Sequence, residues 1–282
     1  MNVIRAKTAG FCMGVDLALR KLDKLMLAGS ARPIYTLGPI IHNPQVLKEY
    51  EERGVKRAAT PEDIPDVCDV VIRAHGIPRA VENALKRRDI RIVDATCPKV
   101  KKAQVLIAEQ AGQGRRLLLF GEDDHPEVKG LRSYANPGVI VFDTLDALEA
   151  SEFEPDEPVF LAAQTTQDRK AFAEIIEYLR RRLGHDLPVL HTICDATIER
   201  QEEAVAFARR VPAMVVVGGF ESGNTRRLVH VVEAQGIFCV HVETAEQLPV
   251  ARLAEFASLG LTAGASTPKK VIDAIEEKLK QL

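Results

Sequence analysis

The chain has no tryptophan and few aromatic residues, which make up 5% of its 282 positions. This scarcity argues against the aromatic-rich platforms that are typical of sugar- and peptide-binding domains. An excess of one charge is also missing, because 38 Lys and Arg oppose 40 Asp and Glu for a net charge of −2. Such a balance gives no field that attracts nucleic acid or an anionic membrane, so we expect neither as a partner. An anionic ligand must then be held by a local site.

Two further absences bear on location and on metal sites. No apolar run approaches the roughly 18 residues that span a bilayer, and the N-terminus lacks the apolar core of a signal peptide. We therefore expect a cytoplasmic protein. The cysteines include no C-x-x-C pair, so a zinc knuckle or a thioredoxin-like dithiol has no local support. Structural disulfides are not expected in a reducing compartment. The five cysteines are Cys12, Cys68, Cys97, Cys194 and Cys239.

Short β-branched runs alternate with amphipathic segments along the chain. This alternation predicts an α/β fold with mostly parallel sheets and helices on both faces. The predicted strands include Val67–Arg73, Leu117–Phe120 and Met214–Val217. The predicted helices include Val15–Leu27, Lys99–Gln110 and Arg200–Arg209.

A loose internal repeat divides the chain into thirds. An isolated cysteine follows a short run in VIRAKTAGFC, IRIVDATCP and VLHTIC, and a predicted helix comes after each. A polar cluster follows an apolar run in VVIRAHG, LLLFGEDDHPE and MVVVGGFESGN. We therefore predict three similar α/β units over residues 1–97, 98–194 and 195–282. Packing of the N-terminal strand with the third unit is an alternative to packing with the first.

The five cysteines differ in their position relative to the predicted strands. Cys12, Cys97 and Cys194 each follow a strand and precede a helix, at the edge where open parallel sheets bind ligands. Cys68 begins a strand and Cys239 lies inside one, so we expect both in the core. Three thiolates from three units can share a metal centre, either zinc or an iron–sulfur cluster. Three unrelated buried thiols are the alternative.

Histidines also lie just past predicted strand ends, at His42, His75 and His125, and Glu127 follows the last of them. Histidine with small hydroxyl and amide donors suits a diphosphate when the protein has little positive charge. Taken singly, such a histidine is more often structural. The remaining histidines lack this context and are interpreted as surface or core residues: His185, His191, His230 and His241.

Three polar loops supply the small donors. GFESGN brings Ser222, Gly223 and Asn224 to a helix start, and TAGAS brings Ser266 to another. In AAQTTQD, Thr165 and Thr166 follow a strand, where a hydroxyl group can relay a proton. Each loop alone is also an ordinary turn or cap.

Nine stretches of the chain, between residues 10 and 266, together resemble the 4-hydroxy-3-methylbut-2-enyl diphosphate reductase family of the methylerythritol phosphate pathway. They occur in the family's order: GFCMGV, IHN, AHG, DATCP, HPEVKG, QTT, ICDAT, SGN and TAGAS. The resemblance implies three similar α/β domains around a central cleft that holds a [4Fe–4S] cluster. It further implies that Cys12, Cys97 and Cys194 are the cluster ligands.

The resemblance also implies the reaction. (E)-4-hydroxy-3-methylbut-2-enyl diphosphate would lose its hydroxyl group, bound at the open iron of the cluster, to give isopentenyl and dimethylallyl diphosphate. Glu127 would be the proton donor and Thr165 a catalytic threonine near the substrate hydroxyl, and an external carrier such as ferredoxin or flavodoxin would supply electrons. The implied substrate-binding residues are His42, His75, His125, Thr165, Thr166, Ser222, Gly223, Asn224 and Ser266.

Several residues depart from the family pattern. Gly223 stands where a second serine is common, Glu221 adds a carboxylate near the phosphate loop, and Asp195 follows the third cysteine. Asp123 and Asp124 precede His125 where smaller or neutral residues are expected. Two other functions remain open: a zinc-dependent hydrolase or lyase for a phosphorylated metabolite, and an iron–sulfur sensor without catalysis. No helix-turn-helix signal or basic patch favours the sensor.

Overall fold

The computed structural model describes residues 1–29, 31–86 and 88–282. Strands and helices alternate along the chain, as its hydrophobic pattern predicts. The strands are β1 (Asn2–Arg5), β2 (Ile34–Leu37), β3 (Lys56–Ala58), β4 (Asp69–Ile72), β5 (Arg91–Asp94), β6 (Arg116–Phe120), β7 (Ile140–Phe142), β8 (Val159–Ala163), β9 (Ala213–Val217), β10 (Phe238–Val242) and β11 (Ser258–Ala263). The helices are α1 (Met13–Leu27), α2 (Pro44–Glu52), α3 (Arg79–Lys86), α4 (Pro98–Gly112), α5 (Pro126–Arg132), α6 (Leu145–Glu149), α7 (Arg169–Leu183), α8 (Asp195–Ala208), α9 (Gly223–Glu233), α10 (Val250–Leu253) and α11 (Lys269–Lys280).

The chain groups into two compact units. The first unit contains a parallel four-stranded sheet in the order β1-β11-β9-β10. The N-terminal strand lies beside β11, with Val3 opposite Leu259. The predicted division at residues 97 and 194 stays a prediction. The first unit comprises Met1–Asp16, Ile41–Glu49 and Asp195–Leu282, and the second comprises Leu17–Ile40 and Tyr50–Cys194.

The second unit contains two sheets, one of four strands and one of three. One has the strand order β3-β2-β4-β5, and the other has the order β7-β6-β8. In all three sheets of the described chain, each pair of neighbouring strands is parallel. The predicted α/β class with parallel sheets is confirmed.

Strand β9 shows how alternating residues build the core of the first unit. Ala213, Val215 and Val217 are buried in one cluster with apolar residues of α11. Met214 and Val216 are buried in another cluster with residues of α8 and α9. Because helices cover both faces, the strand is a continuous apolar run rather than an alternating one. Each fully buried valine or methionine contributes ~1.5–3 kcal/mol to stability.

The structure differs from the predicted boundaries at two places that matter for the cysteines. Helix α8 begins at Asp195, directly after Cys194, whereas the pattern predicts a start at Arg200. The β-branched Thr197 in its first turn has a low helix propensity, which obscures the helical pattern there. Strand β4 is shorter than Val67–Arg73 and leaves Cys68 buried just before it.

The longest helices are α1, α4 and α7, with 15 residues each. A membrane-spanning helix needs roughly 20 predominantly apolar residues. Among the described helices, none is long and apolar enough to cross a membrane. The cytoplasmic location stays a prediction.

Candidate active site

Two of the histidines predicted for the site, His75 and His125, belong to the second unit. His75 lies in the turn after β4, and His125 directly precedes α5. The turn after β4 carries His75 and is closed by a hydrogen bond from the Gly76 N–H to the Arg73 carbonyl at 2.9 Å. His125 caps α5, and its Nδ1 accepts the N–H of Glu127 at 3.1 Å. When neutral, the ring of His125 therefore carries its proton on Nε2. The rings of His75 and His125 meet edge to face, with centroids 5.5 Å apart.

Glu127 is a buried acid of the second unit, with 2% of its surface exposed. Its Oε1 accepts the backbone N–H of Thr165 at 2.6 Å, and its Oε2 accepts the Thr165 hydroxyl at 2.9 Å. Burial raises the pKa of the Glu127 carboxyl to about 7, although both hydrogen bonds act in the opposite direction. The group therefore holds a proton close to neutral pH, as a general acid requires.

The turn after β8 holds both threonines of the QTT motif. Gln164 is fully buried there, and its Oε1 accepts the N–H of Glu122 at 3.1 Å. Its Nε2 donates to the hydroxyl of Thr166 at 3.0 Å. Gln164 thus ties the turn of Thr165 and Thr166 to the loop that leads to His125.

Two of the three candidate cluster cysteines belong to the second unit. Cys97 directly precedes α4, and its N–H donates to the carbonyl of Ala74 at 2.9 Å, beside His75. The N–H of Cys194 donates to the carbonyl of Thr165 at 2.9 Å. Both are partly exposed, and among the described residues the cysteines form no disulfide. The backbone thus links each cysteine to a turn that carries another candidate residue.

Cys12 lies in the first unit, between β1 and α1. Its N–H donates to the carbonyl of Ala265 at 3.1 Å, directly before Ser266. Its Sγ accepts the N–H of Val15 at 3.5 Å, in the first turn of α1. The thiol thus lies at the N-terminus of α1.

The first unit also brings the predicted hydroxyl donors together. Ser222 caps α9, and its hydroxyl accepts the N–H of Thr225 at 3.3 Å. The Ser266 hydroxyl lies 3.4 Å from that of Ser222 and donates to the backbone carbonyl of His42 at 3.1 Å. Gly223 is the first residue of α9. These contacts place the SGN and TAGAS loops at one place, next to the backbone of the IHN segment.

One feature of this cluster points to a ligand. Asn224 is buried, and its Nδ2 has no hydrogen-bond partner among the described residues. A buried amide without a partner is unfavourable by ~1–3 kcal/mol, so a ligand oxygen is its natural acceptor. The backbone before the SGN loop also lies close to the IHN segment. A Cβ atom added at Gly219 would lie 2.7 Å from the carbonyl oxygen of His42.

The additional carboxylates before His125 have partners on α5. Asp123 pairs with Arg132 at 2.6 Å, and Asp124 pairs with Lys129 at 3.1 Å. Exposed pairs of this kind contribute little stability, but they balance the added charge locally. Glu221 is exposed.

Arg73 was not among the residues singled out from the sequence. Its Nε donates to the carbonyl of Gly76 at 3.1 Å, which closes the turn of His75 a second time. Burial lowers the pKa of Arg73 to about 10. In the sequence, Arg73 is visible only as a charged residue at the end of the apolar run VVIRAHG. Its partner is a backbone carbonyl, so the residue type of the partner gives no signal.

Similarity to known proteins extends over nearly the whole chain. A sequence model described as LytB protein matches residues 3–280. A 4-hydroxy-3-methylbut-2-enyl diphosphate reductase from Nitratidesulfovibrio vulgaris, strain Miyazaki F, is 61% identical over 282 residues, with 100% of both chains covered. The enzyme of that name from Clostridioides difficile is 37% identical over 283 residues, again with 100% of both chains covered.

Solved structures are similar as well. The E-1-hydroxy-2-methyl-but-2-enyl-4-diphosphate reductase of Plasmodium falciparum is 26% identical, with a TM-score of 0.93 over 98% of this chain and 87% of that one. An (E)-4-hydroxy-3-methyl-but-2-enyl diphosphate reductase, described as the terminal enzyme of the non-mevalonate pathway, is 36% identical. Its TM-score is 0.70, with 100% of this chain and 99% of that one covered. The chain belongs to the LytB protein family.

Proposed function

We propose that the chain removes the allylic hydroxyl group of (E)-4-hydroxy-3-methylbut-2-enyl diphosphate and gives isopentenyl and dimethylallyl diphosphate. The enzyme is a reductase of the non-mevalonate route to isoprenoids, as its family membership implies. The reaction consumes two electrons and two protons and releases the hydroxyl oxygen as water. One proton goes to that oxygen and the other to carbon, at either end of the allyl group.

The observation that carries this proposal is the buried Glu127–Thr165 pair. A hydroxide ion is a poor leaving group, so the departing oxygen needs a proton at the moment the C–O bond breaks. Glu127 is protonated near neutral pH and is in direct hydrogen-bond contact with the Thr165 hydroxyl. In this step the protonated carboxyl of Glu127 donates its proton to the Thr165 hydroxyl oxygen, and Thr165 passes its own hydroxyl proton to the departing oxygen. Glu127 and Thr165 are the catalytic residues of the proposal.

The diphosphate is bound by histidines and small donors instead of a cluster of basic residues. In the second unit these are His75, His125, Thr165 and Thr166. Each charge-assisted hydrogen bond contributes ~1.5–3 kcal/mol, and binding remote from the reacting carbon fixes the position of the hydroxyl group. In the first unit the proposed contacts are His42, Ser222, Gly223, Asn224 and Ser266, and the unpartnered amide of Asn224 supports the assignment.

The chemistry of the cysteines fits a [4Fe–4S] cluster held by Cys12, Cys97 and Cys194. Each is partly exposed and directly precedes a helix, and soft thiolate donors suit iron–sulfur clusters or zinc. When bound, a cluster with three cysteine ligands supplies electrons and an iron atom that has no protein ligand. Burial raises the pKa of the Cys68 thiol, and raises that of Cys239 to about 12, which disfavours either as a thiolate ligand.

Electrons then come from an external carrier, for which a ferredoxin or a flavodoxin is the expected class. The chain's own residues serve the reaction by binding the diphosphate and supplying the proton. The diphosphate-binding side chains and Glu127 have these two tasks, and neither task changes the oxidation state of a residue.

Protein purified without oxygen tests the proposal. We expect a brown sample with roughly four iron and four sulfide per chain and turnover of the allylic diphosphate with a chemical reductant. Cys97→Ala should lose the iron, whereas the matched variant Cys68→Ala should keep it. Stoichiometric zinc without iron or sulfide would contradict the cluster. An intact cluster without turnover would favour the sensor over the enzyme.

A further inference from the structure

Helix α8 holds the segment that leads from β1 to Cys12. Glu203 on α8 accepts the N–H of Lys7 at 2.8 Å through Oε1. Its Oε2 accepts the N–H of Thr8 at 2.9 Å and the hydroxyl of Thr8 at 2.6 Å. One carboxylate therefore binds two consecutive backbone amides and a side chain nearly two hundred positions away in the chain. Burial acts to raise the pKa of Glu203, but the hydrogen bonds from Thr8 and Lys7 hold it below its usual value.

Arg200 makes a second connection to the same segment. It lies three residues before Glu203 on α8 and is 5% exposed. One guanidinium nitrogen donates to the carbonyl of Gly10 at 2.6 Å, and another donates to the carbonyl of Ala196 at 3.0 Å. Gly10 has φ of 116°, a conformation that favours glycine and sets the direction of its carbonyl. Arg200 thus holds the chain two residues before Cys12.

Cys12 itself is held from the other side. Its N–H donates to the carbonyl of Ala265, so the cysteine is the far end of a segment whose beginning and middle are bound by α8. Glu203 and Arg200 are therefore able to order residues 7–12 before any ligand binds the thiol. A metal ligand that is ordered in advance loses less conformational entropy on binding, which favours retention of the metal.

We propose that Glu203 and Arg200 are positioning residues that hold the Cys12 thiol in place for the iron–sulfur cluster. The inference rests on the proposed function, because it assumes that Cys12 is a cluster ligand. Both act on the segment before the thiol, through their hydrogen bonds to residues 7–10.

The test measures iron release from anaerobically loaded protein into an iron chelator. Glu203→Ala removes all three hydrogen bonds, and we expect release to be roughly tenfold faster or more, since hydrogen bonds to a charged group are among the stronger ones. Glu203→Gln keeps one acceptor oxygen and should restore part of the difference. The control is Glu199→Gln, an exposed carboxylate on the same helix; it should release iron at the wild-type rate.

Hydrogen exchange of the protein without iron gives a readout that does not depend on the cluster. In Glu203→Ala the amides of residues 7–12 should exchange faster than in the wild type, while those of β6 remain unchanged. Unchanged exchange in residues 7–12 would overturn the proposal. Faster exchange with iron release at the wild-type rate would also overturn it, because the contact would then be structural only. A wild-type chain that binds no iron would instead contradict the proposed function itself.

Discussion

Replacing Glu127 with glutamine separates the chemical role of this residue from its role in folding. The amide of the variant has nearly the same shape as the carboxyl group, and its oxygen can still accept the N–H of Thr165. What it lacks is the proton and the negative charge. The variant should therefore be inactive in proton transfer and yet more stable than the wild type at alkaline pH.

The size of the stability effect follows from the pKa of Glu127. That pKa is 4.5 without the protein environment and about 7 in the fold. A carboxyl with a raised pKa binds its proton more tightly when folded, so its contribution is fully present below pH 4.5 and is lost as the pH rises through 7. The two values correspond to about 3 kcal/mol of stability lost at alkaline pH. Glu127→Gln does not ionise and avoids this loss.

Urea unfolding of the protein without iron measures the difference. At about pH 4.5 the wild type and Glu127→Gln should have similar free energies of unfolding, and at about pH 8 the variant should be more stable by up to roughly 3 kcal/mol. Asp124→Asn is the control, because it removes an exposed carboxylate of the same loop. Its difference from the wild type should stay below about 0.5 kcal/mol at both pH values.

Activity should change in the opposite direction. We expect kcat of Glu127→Gln to fall by about 10²–10⁴-fold, the usual contribution of a general acid, with a much smaller change in KM. In the wild type, kcat/KM should decrease as the pH rises through about 7, as Glu127 loses its proton. Near-normal turnover, or a stability difference independent of pH, would refute the assignment of Glu127 as a buried acid.

Two further predictions concern the first unit. Ser222→Ala removes the cap that accepts the N–H of Thr225, so the free energy of unfolding should fall by about 1 kcal/mol and KM for the diphosphate should rise; an unchanged KM in steady-state kinetics would remove Ser222 from the substrate contacts. Gly219→Ala should destabilise the protein by ~1–3 kcal/mol, because the added Cβ would lie 2.7 Å from the carbonyl oxygen of His42. Its matched control is Gly112→Ala in α4, where nothing lies within 4 Å and thermal unfolding should show equal or higher stability.

The fold class could be predicted because both signals it needs are local in the sequence. Apolar runs such as AMVVV identify buried parallel strands, and amphipathic periods identify the helices between them. Boundaries were less accurate where local propensity conflicts with tertiary contacts. Helix α8 starts five residues earlier than Arg200, and its first turn contains Thr197, which is buried. Packing of that turn outweighs its weak intrinsic preference for helix.

The candidate site could be predicted in part, because several of its residues directly follow predicted strands. Parallel strands end at one edge, so residues after strand ends, such as Glu127 and Thr165, come together in space. Their contact at 2.9 Å agrees with that expectation. The pKa of Glu127 could not be predicted, because it depends on how completely the surrounding chain excludes water.

Residues that act through hydrogen bonds to the backbone could not be identified from the sequence. Glu203, Arg200 and Gln164 bind amide or carbonyl groups, and every residue other than proline offers the same groups, so residue type at the partner position carries no signal. Charged or amide side chains on a helix are also most often solvated. Their role depends on long-range packing that brings α8 to residues 7–10 and one strand-end turn to another. Motifs therefore suffice to propose candidate reacting residues, whereas the residues that hold such candidates in place become visible only in the fold.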